Sequence, residues 1–472
     1  MRLKHVGLQG FGLLAKRGFL AIAFLIAARV LGPERFGDFT YITTWMLVIN
    51  LIAALGLPSV TTREVACHPE DARAILRSTL WLRFTLACVG ALLFNALFEL
   101  TPIGHAGILE YAAVLSLVLP AVAVADQLAS YVLGFNSHRQ FASINMLSWG
   151  AYLAATCVSL LVSKNLNTIF VSQAVAIWIA AGILIVAYRN EWLKTPSAQH
   201  SVTSFLLRQS APIAITGILG ILSFRIGTFL LYKFLGAAET GIYTSALQVV
   251  EGMQLIPMAI TGALFPTLCR VVNDQKKFTS FVEWLFLTLA FLGLGAAATA
   301  SVIGPRLVVF IFGSKFSAAG GLLTILVWAL VPMFLHFSLT YVLIATNRQK
   351  VFIFESAVYL IVSFTANFVF IPRYGIMGAA YAALISESTL LLMHLVFVFS
   401  RLKIRRTLSW LAVPAAIAIF VVFFGATWKE GINSVPTNAG MFGTVSVALF
   451  GVAYWLYHNV SANAFAFSPE SF

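Results

Sequence analysis

Charge is scarce in this sequence. Asp, Glu, Lys and Arg together make up 10% of its 472 residues, against 60% hydrophobic, where a soluble domain carries roughly a quarter charged residues. So little charge cannot clothe a water-facing surface, which excludes a soluble enzyme of this size. Cysteine is scarce too. Cys67, Cys88, Cys157 and Cys269 are scattered with no C-x-x-C pair, so neither a thiolate metal cluster nor a disulfide framework is expected. Also missing are a Walker loop, zinc-ligand spacing and a G-x-S-x-G elbow. The chain therefore does not read as an ATPase or hydrolase, and neither metal nor cofactor is expected. Arg2, Lys4, Lys16 and Arg17 precede an apolar run that continues without a small-residue cleavage site, so the first segment is expected to remain as a helix.

What the chain does have is long apolar runs, each near the ~20 residues that span a bilayer. The pattern predicts an all-α membrane protein with fourteen helices, at about 10–31, 39–62, 77–99, 108–133, 141–163, 167–188, 205–232, 241–269, 281–303, 319–345, 351–371, 375–399, 409–427 and 439–458. Runs this long exclude a barrel, whose strands are about ten residues and alternate. Between 304 and 320 the run RLVVFIFG is too short to span and reads as a short interfacial helix. With the N-terminus inside, eighteen of the thirty Lys and Arg fall in cytoplasmic segments and seven in outer loops. That bias places both termini in the cytoplasm. It also accounts for most of the net charge of +13 without a nucleic-acid partner.

A decapeptide recurs. LGPERFGDFT (Leu31–Thr40) and LGAAETGIYT (Leu235–Thr244) share Leu, Gly, Gly and Thr at an offset of 204. Each joins the first and second helices of a six-helix set. Gly32 is expected to end one helix and Gly37 to relieve the turn, because glycine accepts positive φ. VLGFNSHRQ (Val132–Gln140) and LIATNRQK (Leu343–Lys350) echo each other at about 211, with Asn136 facing Asn347. Two six-helix halves in tandem follow. They are an N-lobe at 1–190 and a C-lobe at 205–400, with a polar cytoplasmic linker at 191–204 and two further helices in 401–472. An even helix number per half makes the halves parallel repeats, as in transporters with a central site.

ARVLGPERFGDFTY, ALGLPSVTTRE, GIYTSALQVVEGMQLIPMAITGALFPTL and GIMGAAYAALISE resemble, in this order and spacing, the polysaccharide (O-antigen and exopolysaccharide) flippases of the multidrug/oligosaccharidyl-lipid/polysaccharide (MOP) exporter superfamily. The resemblance implies a V-shaped pair of six-helix lobes working by alternating access, with the last two helices as an annex. It implies movement of an undecaprenyl-diphosphate-linked glycan across the bacterial inner membrane, with polysaccharide assembly proteins as further partners and a coupling H+ or Na+. Relatives often carry Asp in the outer half of helix 7, where this chain has Arg225 in LSFRIGTFLLYKFLG.

Charges inside spans are expensive and should face a cavity or a partner. Lys16, Arg17, Arg83 and Arg225 are the candidate cationic residues for the diphosphate, since guanidinium grips phosphate oxygens bidentately and ammonium acts as a point charge. Snorkelling is the alternative for the three nearest the cytoplasm, and pairing with a carboxylate is the alternative for Arg225. Asp126, Glu251, Glu355 and Glu387 are candidates for ion coupling or for pairing with a cation. Glu251 belongs to a polar stripe with Thr244, Gln248 and Gln254, ahead of an expected kink at Pro257. His336 and His394, each isolated in sequence, read as structural. The basic bias disfavours a cationic-drug exporter, and a peptidoglycan-precursor flippase remains the nearest alternative. A membrane glycan polymerase or ligase would show a long outer loop with carboxylates or His, whereas Gly304–Gly320 has neither.

Overall fold

The computed structural model describes residues 2–100, 106–192 and 200–399, and every regular element among them is helical. In chain order these are α1 (Arg2–Ala54), α2 (Leu57–Cys67), α3 (Ala72–Leu100), α4 (Ala106–Ser116), α5 (Val118–Gly134), α6 (His138–Val162), α7 (Leu166–Ala187) and the single turn α8 (Arg189–Trp192). There follow α9 (His200–Leu235), α10 (Ala237–Met253), α11 (Leu255–Val271), α12 (Gln275–Phe312), α13 (Ser317–Leu326), α14 (Leu330–Ala345), α15 (Val351–Tyr374) and α16 (Ile376–Phe399). The helices expected at 409–427 and 439–458, and residues 193–199 of the expected linker, lie outside the described residues.

By length and hydropathy ten helices among the described residues can cross a membrane, or eleven when α1 and α2 count as one bent span. Within α1, however, Gly32 is non-helical at φ 76°. The Phe24 ring packs 5.2 Å from Phe39 and 6.4 Å from Phe36. Fifteen residues of straight helix would hold Phe24 and Phe39 about 22 Å apart, so α1 folds back on itself and crosses twice.

The turn is made in one residue. Gly32 takes the left-handed region and Pro33 starts the next helix, where its missing N–H costs nothing. Gly236, at φ 86°, does the same between α9 and α10. Gly37 is therefore not the turn relief the sequence suggests, because it already lies inside a helix. It serves close approach instead. A Cβ on Gly37 would sit 1.8 Å from the Ala237 carbonyl oxygen, and one on Gly241 would sit 2.0 Å from that of Pro33. The pairs 33/237 and 37/241 share the 204-residue offset, so the two copies of the repeat cross each other reciprocally. Thr40 and Thr244, again 204 apart, face each other at 3.2 Å between hydroxyls.

The second echo is also structural. Asn136 and Asn347 both have φ 56°. Ser137 N–H bonds to Val132 C=O at 3.0 Å, and Arg348 N–H to Leu343 C=O at 2.8 Å. Each closes a helix with a six-residue Schellman turn. Asparagine tolerates this region, whereas a β-branched residue there costs roughly 1–2 kcal/mol. Asn136→Gly is accordingly expected to leave the thermal midpoint nearly unchanged and Asn136→Val to lower it, and the same contrast should hold at Asn347.

Helix breaks follow proline with one rule. Proline cannot donate to the carbonyl four residues back, and its ring crowds that group. Residues four before Pro58, Pro120, Pro257 and Pro332 are Ala54, Ser116, Met253 and Trp328. Helices end at the first three, and the fourth lies in the 3-10 turn Val327–Ala329. The expected kink at Pro257 is thus a break at Gln254. The run RLVVFIFG differs from expectation, since it is the end of α12, which continues through Pro305 to Phe312. Here Val308 and Phe312 are buried, and Gly320 of α13 approaches Pro305 so closely that a Cβ would meet its Cα at 2.6 Å. That packing outweighs one lost backbone bond.

Contacts divide the chain into two compact units, Met1–Thr244 and the chain from Ser245 onward. In the first, α1 packs on α6 and α3, α5 fills the middle, and α9 lies against α1 and α2. In the second, α14 packs between α12 and α16, and α15 lies along α16. Apolar side chains such as Leu161, Val162 and Phe310 point outward, as they do in a multi-pass membrane protein facing lipid.

Candidate functional site

Three of the candidate charges in the first unit come together. Lys16 of α1 meets Asp126 of α5 at 3.0 Å, with both side chains about a quarter exposed. The Lys16 ammonium also lies 4.6 Å from the centre of the Trp149 ring on α6. Cation and carboxylate thus form one pair, the pairing alternative for Asp126. Arg83 of α3 is almost fully buried. Its Nη2 donates to Asn50 Oδ1 at 2.6 Å and to Asn50 C=O at 3.2 Å. Its Nε and Nη1 have no hydrogen-bond partner among the described residues. Asp126, already paired with Lys16, is the carboxylate that acts on it electrostatically. Arg17 is exposed, turned about 100° round the helix from Lys16, and does not join this group.

Arg225 lies on α9 with its guanidinium 5.3 Å from the Phe224 ring. It shares a helix face with Phe229 and Tyr232, at i+4 and i+7. Phe229 packs 4.3 Å from Trp45, and Tyr232 stacks 3.8 Å from Tyr41 and donates to Asp38 at 2.6 Å. This aromatic ladder ties α9 to the second half of α1 and directs the Arg225 face towards it. Glu251 is half-buried near the end of α10, ahead of the Gln254 break.

In the second unit the structure pairs Glu355 and Glu387 with the two histidines. His336 Nε2 lies 3.2 Å from Glu387 Oε2, and Tyr359 donates to Glu387 Oε1 at 2.5 Å. His394 Nδ1 lies 3.5 Å from Glu355 Oε1. The imidazole centres are 5.8 Å apart. The isolated histidines of the sequence are therefore neighbours, on α14 and α16. Helical spacing carried a signal for this cluster, since His336 and Thr340, Glu355 and Tyr359, and Glu387 and His394 each share a face at i+4 or i+7. What spacing cannot give is which faces meet. Among the described residues no group of His, Cys, Asp or Glu is arranged to hold a metal ion.

Solved structures share this architecture. A lipid II flippase MurJ in an inward closed conformation matches with a TM-score of 0.72 at 12% identity, over 96% of this chain and all of that one. A MATE transporter in the bent conformation matches at 0.61 and 14% identity, over 87% of this chain and 96% of that one. A MOP superfamily transporter from Pyrococcus furiosus matches at 0.60 and 13% identity, over 85% and 95%. The fold is the one these solved structures share. The sequence profile of the polysaccharide biosynthesis protein family matches residues 3–272, and the chain belongs to that family. Among curated relatives, the probable low-salt glycan biosynthesis flippase Agl15 of Haloferax volcanii is 21% identical over 95% of this chain and 94% of its own length. The lipopolysaccharide biosynthesis protein WzxC of Escherichia coli is 22% identical over 64% of this chain and 61% of its own. The succinoglycan biosynthesis transport protein ExoT of Rhizobium meliloti is 24% identical over 67% and 64%.

Proposed function

We propose that this protein is a flippase for a lipid-linked glycan, moving an undecaprenyl-diphosphate-linked oligosaccharide or repeat unit across the bacterial inner membrane by alternating access. The observation that carries this reading is the span of the likeness to a probable glycan flippase, 95% of the chain. Every described pass takes part, not one shared module. The protein is a transporter in this reading and not an enzyme.

The cationic residues support it. Arg83 holds a guanidinium in an apolar interior with two nitrogens unbonded, a group suited to phosphate oxygens once a cavity opens beside it. Lys16 can exchange Asp126 for a diphosphate, because the pair is only partly buried. Arg225 supplies a third cation on α9. The sugar and diphosphate cross beside these groups while the lipid tail stays in the bilayer. The repeats at 1–190 and 205–400 act as the two lobes, 401–472 as the annex, and both termini lie in the cytoplasm. Assembly proteins of polysaccharide synthesis are the expected partners.

The test is leaflet transfer of an undecaprenyl-diphosphate oligosaccharide in proteoliposomes. The parent protein is expected to transfer it, and Arg225→Ala to slow transfer about tenfold, equivalent to ~1.4 kcal/mol of barrier. Transfer of lipid-linked peptidoglycan precursor in its place would select the second reading, which the MurJ-like fold favours. Failure with every diphosphate-linked glycan, with or without an ion gradient, would remove the proposal.

A further inference from the structure

We propose that His394, Glu355 and Thr340 form a proton-binding site in the second unit, in which the Thr340 hydroxyl switches its hydrogen bond between α14 and α16 with the protonation of His394. The coupling role given to this site rests on the flippase reading. The site itself rests on geometry alone.

The two histidine–carboxylate pairs differ. Glu387 accepts one hydrogen bond, from Tyr359 at 2.5 Å to Oε1, while Oε2 lies 3.2 Å from His336 Nε2 without a hydrogen bond. Glu355 is 1% exposed, and among the described residues neither of its oxygens accepts a hydrogen bond. Its nearest ionic neighbour is His394 Nδ1 at 3.5 Å. A bare carboxylate in such surroundings is strongly disfavoured, so the Glu355–His394 pair must hold a proton to be neutral.

The bonds around His394 show where that proton can reside. Nδ1 lies 3.0 Å from Leu390 C=O, which can only accept, so Nδ1 carries hydrogen. Nε2 lies 3.1 Å from Thr340 Oγ1. Thr340 Oγ1 also lies 2.8 Å from His336 C=O, to which only the hydroxyl can donate. A hydroxyl has one hydrogen. When Thr340 donates to His336 C=O, Nε2 must donate to Thr340, and His394 is an imidazolium facing Glu355. When the proton leaves Nε2, the lone pair there accepts the Thr340 hydrogen, and the bond to His336 C=O is given up. One proton thus moves between solvent and Nε2 while one hydroxyl hydrogen rotates, and no other bond changes. The hydroxyl satisfies the α14 backbone in the loaded state and reaches α16 in the empty one. Because the empty state leaves Glu355 charged, release is favoured only when water reaches the site. That requirement would tie proton release to a change of access.

Titratable and charged groups on the helices packed here are few. Besides the two pairs and Tyr359, α14 carries Tyr341, α15 carries Arg373 and Tyr374, and α16 carries Tyr381. Of the neighbours, α12 carries Glu283, with Lys276, Lys277 and Arg306 towards its ends, α11 carries Arg270, and α13 carries none. A proton suits the site better than Na+, since the pairs present imidazole nitrogens and no convergent oxygen cage.

The experiment is infrared difference titration of the purified full chain without glycan, following the ring-stretch bands that distinguish imidazolium from imidazole between about pH 5 and 8. A titrating band is expected in the parent, lost in His394→Gln, moved to lower pH in Glu355→Gln and unaffected by Na+. Thr340→Val, which keeps the shape and removes the hydroxyl, should move its midpoint by about one pH unit or more, a tenfold change in proton affinity. No titrating band, a band that survives His394→Gln, or a band abolished by Na+ would overturn the proposal. If His394→Gln does not fold, an unshifted midpoint in Thr340→Val overturns it alone. Titration with no glycan transfer in proteoliposomes would leave the site standing and remove the flippase reading, and transfer without titration the reverse.

Discussion

Arg83→Met is expected to give a protein that unfolds later and transports more slowly. The guanidinium is buried and among the described residues is bonded only through Nη2 to Asn50, and Asp126, the carboxylate that acts on it electrostatically, is already held by Lys16. Burying an incompletely bonded charge is costly, and replacing buried ionic groups by apolar side chains of similar volume is often neutral or stabilising by about 1–4 kcal/mol. Asn50 is half-buried and can recover a partner from water. If Arg83 serves the diphosphate, leaflet transfer should fall by about tenfold or more, ~1.4 kcal/mol in the barrier. Arg83→Ala should fail differently, because the cavity alone costs roughly 2–5 kcal/mol for a large side chain. Detergent unfolding and transfer measured on both variants separate the roles. A destabilised Arg83→Met with normal transfer would make Arg83 a structural anchor for Asn50.

The second large effect concerns the crossing of the repeats. A Cβ on Gly37 would stand 1.8 Å from a backbone oxygen that cannot swing away. Gly37→Ala must therefore push α1 and α10 apart, and overpacking of this kind costs about 1–3 kcal/mol. Thr40 and Thr244 report on the separation, since their hydroxyls now lie 3.2 Å apart. With Cys67, Cys88, Cys157 and Cys269 replaced by Ser, Thr40→Cys with Thr244→Cys should oxidise to a disulfide. Adding Gly37→Ala should suppress that crosslink. If alternating access requires the two copies to part, oxidation should stop transfer and reduction restore it. A crosslinked protein that still transfers at the parent rate would show that this crossing stays closed throughout the cycle.

Much of the fold was legible along the chain. Apolar runs, unmatched by charge, gave the passes, and the two echoes gave the repeat. The structure repeats both in its dihedral angles, at Gly32 with Gly236 and at Asn136 with Asn347. These positions are readable because a left-handed residue is a local demand that glycine or asparagine meets whatever lies around it. The proline breaks are local only in part, since each loses one bond to the carbonyl four residues back, yet Pro212, Pro266, Pro305 and Pro372 lie inside continuing helices.

The role of Gly37 was not legible, because its cause is another backbone 200 residues away. The same holds for the charges. Lys16 and Asp126 lie 110 residues apart, and nothing in either segment says they are a pair. His336 and His394 looked solitary because their carboxylates sit on other helices. The sequence by itself determined that the chain is a many-pass helical membrane protein, where several of its helices turn and which costly side chains it carries into the apolar layer. These are properties of single helices and of transfer from water to lipid. Only the tertiary structure decided which of those side chains neutralise one another and which polar atoms, like the Glu355 oxygens and Arg83 Nε and Nη1, have no hydrogen bond among the described residues. Pairing depends on the rotation of one packed helix against the next, and side-chain packing sets that rotation.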